Sequence, residues 1–191
     1  MIPISAEQIS AADEMYNVIQ AKLSAKKGHH HEVRVACSAR MAGTFLMRSF
    51  NLSLDNYVPG DMVESEEANE KGKNLVEVMD HMLTFWGVTL DPTRVSVENG
   101  FGTPLYFGLL ETQDRLEADY DEIRLRYELD YEIGSYAASL AVAWIIADCA
   151  KELDPHISFN IAVWGFLEGT RTAPRKLKAI RRSSGAPDLA G

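Results

Sequence analysis

The sequence predicts an all-α protein, an irregular bundle of about six or seven helices with a basic C-terminal tail. Three observations predict it. Apolar residues recur at spacings of three and four along most of the chain, as helices with one buried face require. The helix-length segments are separated by Asp55-Asn56, Pro59-Gly60, Asp91-Pro92, Asn99-Gly100 and Asp154-Pro155, all of them turn chemistry. Only Val95-Ser96-Val97 could be a short strand rather than a helical turn, and one strand makes no sheet.

The elements follow in order. Ser5 with Gln8 is a capping-box pattern, after which Ile9, Ala12, Tyr16, Ile19 and Leu23 form one apolar stripe closed by Lys26, Lys27 and Gly28. A second helix is expected from Glu32 to Asn51. It is apolar on most sides, and Ala36, Ala39, Ala42 and Gly43 let a neighbour approach closely, so it belongs at the centre. Leu52 to Val63 reads as a loop. Ser65 then opens a third helix that buries Leu75, Met79, Met82 and Trp86 and stops at Gly87. Thr103-Pro104 is a cap followed by proline at the first helical position. No Pro or Gly interrupts Leu109 to Ile133, so one long or kinked helix is expected, with Gly134 as the break before a buried helix from Ser135 to Leu153. Asp154-Pro155 starts the last helix, which Gly169 ends.

The 191 residues are expected to form a single domain over 1–168, with 169–191 as the tail. A composition of 46% hydrophobic and 25% charged residues excludes a disordered chain. Two cysteines make no disulfide framework, and MIPISAEQIS has neither the basic start nor the apolar run of a secretory signal. The longest apolar stretch, Ala137 to Ala147, is short for a bilayer. A cytoplasmic protein with no membrane partner is the expectation.

Charge falls in blocks within a formal net of −9. The tail carries Arg171, Arg175, Lys176, Lys178, Arg181 and Arg182 against Asp188 alone. Glu111 to Glu132 holds nine acids against Arg115, Arg124 and Arg126. That acidic block is a solvated helix face, a dock for the tail of its own or a partner chain, or a dock for another basic protein. An acidic body repels a phosphate backbone, and the tail lacks interleaved aromatics, so nucleic acid is not the expected partner.

Five residue sets are candidates for chemistry. Glu70, Asn74, Glu77 and His81 stack on one helix face, where Glu70, Glu77 and His81 could hold a metal; the same stripe also reads as a solvent face, opposite the apolar one. Trp144, His156, Asn160 and Trp164 could line a small-ligand pocket, or His156 and Asn160 could be structural polar groups. Tyr120, Tyr127 and Tyr131, with Arg175, Arg181 and Arg182, are candidates for an interaction surface. Arg34, Arg40 and Arg48 share an arc of the second helix and suit either carboxylate pairs or an anion clamp. His29, His30 and His31 read as an exposed loop able to take up adventitious metal. No phosphate loop, dinucleotide fingerprint, nucleophile elbow, His-Glu-x-x-His or Cys-x-x-Cys is present, and Cys37 and Cys149 fall in buried helices. No cofactor can be named. The leading expectation is a non-catalytic protein acting by protein–protein contact, as a homo-oligomer or with an unidentified partner. The rivals are a metal-dependent enzyme or metal-binding protein at His81 and a helical small-ligand pocket.

Overall fold

In the computed structural model, residues 2–23, 30–96 and 107–176 are described, and among them six α-helices and one 3₁₀ turn account for the regular structure. They are α1 (Ala6–Leu23), α2 (His31–Ser49), α3 (Glu66–Phe85), α4 (Leu109–Arg126), α5 (Tyr131–Cys149) and α6 (Pro155–Thr170). No strand occurs among the described residues. The sole bridge there pairs Met62 with Thr172.

Helix boundaries follow local chemistry. The α1 capping box closes as expected, with the Ser5 N–H donating to Gln8 Oε1 (2.8 Å) and the Gln8 N–H to Ser5 Oγ (3.3 Å). Ser65 Oγ accepts from the Ala68 N–H to start α3, and Gly87 adopts φ 78° beyond its end. The break between α4 and α5 is not at Gly134. Glu128 takes the left-handed conformation (φ 54°), and the Leu129 N–H reaches back to the Arg124 carbonyl (3.0 Å), which ends α4 without any glycine. Asp130 then caps α5 by accepting from the Ile133 N–H (2.7 Å). Gly134 lies inside the first turns of α5, where a Cβ would meet the Arg124 side chain at 3.0 Å. The 3₁₀ turn Pro92–Arg94 replaces the suggested strand; Val97, the closure at Lys26–Gly28 and the Thr103-Pro104 cap lie outside the described residues.

The second helix is central, as its composition requires. Val33 through Met47 are all buried, and α2 packs on α6, α5 and α4, with α3 also touching it. Against α6 the approach is backbone to backbone. Gly165 and Gly169 of α6, four apart, face Ala39 and Gly43 of α2, also four apart; a Cβ on Gly43 would stand 2.6 Å from the Phe166 carbonyl oxygen. Gly169 is therefore a packing residue within α6, not its terminator. The other side of the core is α5, which α1, α2 and α3 enclose. Among described helices, Tyr131–Cys149 is the one long and apolar enough to cross a membrane by length and composition, and it exceeds the Ala137–Ala147 stretch on which the sequence expectation rested. Here most of it is buried inside the bundle.

The packed chain also runs beyond residue 168. The Val63 N–H donates to the Arg171 carbonyl (2.7 Å) and the Ala173 N–H to that of Asp61 (2.8 Å), so 171–173 lace the 60–63 loop to the end of α6. Ala173 is buried.

Candidate functional site

The three arginines of α2 all find carboxylates. Arg34 meets Asp148 (3.4 Å), Arg40 donates through Nε to Glu168 (2.7 Å), and Arg48 donates to Glu117 (2.6 Å). Burial raises the Glu117 pKa, outweighing the attraction of Arg48. These pairs bind α2 to α5, α6 and α4. Two further buried polar contacts join α2 to α4: Ser38 Oγ lies 3.2 Å from the Tyr120 hydroxyl, and Gln113 donates to Thr44 (3.1 Å). Burial pushes the Cys149 thiol up to about 11 and raises that of Cys37 too, as suits small apolar core groups.

The interaction set divides. Tyr120 is fully enclosed at 0% exposure, so it is a core residue and belongs to no surface. It continues the Leu116–Tyr120–Ile123 stripe, a spacing that already marked it as inward-facing. Tyr127 donates to Glu14 of α1 (2.7 Å), and Tyr131 packs edge-on against Phe45 with the Arg124 guanidinium over its ring. Arg175 lies on the acidic helix of its own chain, paired with Asp114 (2.8 Å), while its carbonyl accepts from Arg48 (2.7 Å). Arg181 and Arg182 lie outside the described residues.

The pocket set divides as well. His156 Nε2 accepts from the Asp91 N–H (2.8 Å) and Asn160 Oδ1 from the Ser96 N–H (2.9 Å), while Asn160 Nδ2 donates to the Arg94 carbonyl (3.1 Å). The two side chains clamp segment 91–96 onto α6. Asp154, capping α6, is held well below the usual carboxylate range by the Arg94 guanidinium and the His156 N–H. Trp144 serves elsewhere, stacked on Trp86 (5.8 Å between centroids) with Tyr16 edge-on. Trp164 is half-buried on α6. A cleft of about 280 Å³ is bounded by Arg94, His156, Ile157 and Asn160.

Glu70, Glu77 and His81 lie on the exposed side of α3. Glu77 and His81 border a cleft of about 200 Å³ with Ile2, Ile4 and Asp80. Among the described residues no three His, Cys, Asp or Glu side chains converge as metal ligands. His31 bonds to Glu152 and accepts from Arg34 (3.1 Å), so it belongs to the first turn of α2; His29 lies outside the described residues.

One feature was not anticipated from sequence. Between α3 and α6 runs an open, mainly apolar cleft of about 190 Å³, lined by Ala68, Gly72 and Val76 on one wall and Val163, Phe166 and Leu167 on the other. Its only charged lining residues are Lys73 and Arg171. At its end, Asn69 and Arg171 are shared with a wider cleft of about 450 Å³, bordered by Met62, Glu64 and Glu66. Met62 is 75% exposed there. Gly72 is the telling residue. A mid-helix glycine costs about 1 kcal/mol relative to alanine. Gly43, Gly134, Gly165 and Gly169 each have a close neighbour that explains them, whereas among the described residues a Cβ on Gly72 would meet nothing within 4 Å. Its place at the middle of a capped helix was the available sequence signal.

No known protein family, curated protein or solved structure matches this chain.

Proposed function

We propose that the protein works by protein–protein contact, and that the occupant of the α3–α6 cleft is a second copy of this chain. The observation that carries the reading is Gly72. It lies in the α3 wall of an apolar cleft, and among the described residues nothing uses the space it leaves. A glycine at a helix crossing lets a second backbone approach closely, as Gly43 and Gly169 do inside the fold. A second copy suits the cleft because the face is self-complementary. It offers an apolar hollow and, at one end, the protruding Met62. Lys73 borders the apolar hollow, Glu64 and Glu66 border its wider continuation, and Arg171 lies where the two meet, so the face offers charges of both signs.

Sedimentation velocity of the wild type and of Gly72→Leu tests this. The wild type is expected to sediment as a dimer at micromolar concentration and Gly72→Leu as a monomer. Leucine favours the helix over glycine, so loss of the dimer would not reflect loss of α3. A wild type that stays monomeric would give the cleft to a different chain and overturn the reading.

A further inference from the structure

The geometry points to an antiparallel pairing of α3 with its copy across a two-fold axis, in a register set by Lys73 of one copy against Glu66 and Glu70 of the other. This rests on the self-association just proposed and goes beyond it by naming the contacts that choose the partner and its orientation.

A seam runs along α3. Ser65, Asn69, Gly72 and Val76 are spaced by four, three and four, so they form one line along α3. Asn69, Gly72 and Val76 line the cleft, and Ser65 and Asn69 line its continuation. In an antiparallel pair whose axis passes between Asn69 and Gly72, each Asn69 faces the other copy's Gly72 and each Ser65 the other's Val76. The crossing then falls on Gly72, where a backbone has room to approach.

Flanking charges decide between this arrangement and its alternatives. Glu66 and Lys73 are seven residues apart and project beside the seam, and Glu70 lies one turn beyond Glu66. All three are exposed, and none forms an ion pair among the described residues. By contrast, neighbouring Lys71 is paired with Glu132 (2.5 Å). In the antiparallel register the two-fold axis carries Lys73 to a position between Glu66 and Glu70 of the second copy, and the same contact recurs on the other side. In a parallel pair the two-fold axis exchanges the flanks, so Lys73 and Glu66, which share one flank, could not meet; each would face the copy's other flank, that of Ala68 and Leu75, which offers no charge. For a chain of net charge −9, which repels its copies at a distance, such local complementarity is what admits a second copy at this face.

A charge-swap pair tests the register, read by native mass spectrometry and sedimentation. K73E alone, and the double variant E66K with E70K alone, each place like charges together on both sides of the axis. Each is expected to dimerise about tenfold or more weakly than the wild type. An equimolar mixture restores opposite charges on both sides and is expected to recover association as a 1:1 heterodimer. Circular dichroism checks that these exposed substitutions leave the helices intact. A wild-type dimer whose variants associate undiminished, or whose mixture recovers nothing, would overturn the register while leaving self-association standing. A wild type that is monomeric throughout would overturn both.

Discussion

Gly169 of α6 stands against Gly43 of α2 with no room for a side chain between them. A Cβ on Gly169 would lie 2.8 Å from the Gly43 Cα and 2.5 Å from the Arg40 carbonyl oxygen. The obstacle is backbone, which cannot turn aside as a flexible side chain can. Gly169→Ala is therefore expected to cost about 1–3 kcal/mol or more, the usual range for overpacking. Equilibrium urea unfolding would show it as a lowered midpoint with the slope unchanged. An unchanged midpoint would mean that the two helices do not cross so closely.

Gly72 is expected to respond in the opposite direction. Among the described residues alanine there meets nothing, and it improves helix propensity, so Gly72→Ala should stabilise the dissociated protein by up to about 1 kcal/mol. The same change narrows the crossing and weakens association. Unfolding in dilute solution, where monomer dominates, separates the two effects. Destabilisation in dilute solution would show that Gly72 is needed within its own fold.

The Arg48–Glu117 pair carries a pH dependence whose sign can be worked out. Glu117 holds its proton more tightly in the fold than in the open chain. Stability is then fully retained below the ordinary carboxylate range and declines as pH rises through the raised folded value. Arg48→Met removes the guanidinium that opposes this rise. The expected cost is about 3–5 kcal/mol at neutral pH, from an uncompensated buried carboxylate, and it shrinks as pH falls to where Glu117 is protonated. Unfolding curves at several pH values check it. A cost independent of pH would place the penalty in lost packing instead.

Asn160 is expected to act locally. Its side chain accepts from the Ser96 N–H and donates to the Arg94 carbonyl. Asn160→Ala should speed hydrogen exchange at the Ser96 amide while leaving α2 amides protected. Uniform acceleration across the fold would make Asn160 a core residue first and a clamp second.

Much of this fold was legible in the sequence because local chemistry decides it. Ser5 with Gln8, Ser65, and Asp154-Pro155 start helices through hydrogen bonds to backbone within a few residues, so spacing alone exposes them. The small-residue face of α2 was equally readable. What escaped was long-range. Gly134 and Gly169 look like helix breakers to any local rule, yet each is a glycine because another element lies across it. The real break uses Glu128 in a conformation rare for a residue with a side chain, and nothing local announces it. Arg34, Arg40 and Arg48 suited carboxylate pairs or an anion clamp equally, and the choice was not local, because Asp148, Glu168 and Glu117 come from three different helices. Tyr120 was misplaced by its acidic neighbours, although its spacing from Leu116 and Ile123 put it on the inner face. The α3–α6 cleft exists only once two helices distant in sequence are set side by side.

Native mass spectrometry of the untagged wild type at micromolar concentration reads self-association through α3 without any label. The expected dominant species has twice the 21.3 kDa chain mass and falls to the single-chain mass in Gly72→Leu. A wild type found only at 21.3 kDa, or a dimer indifferent to Gly72→Leu, would contradict it.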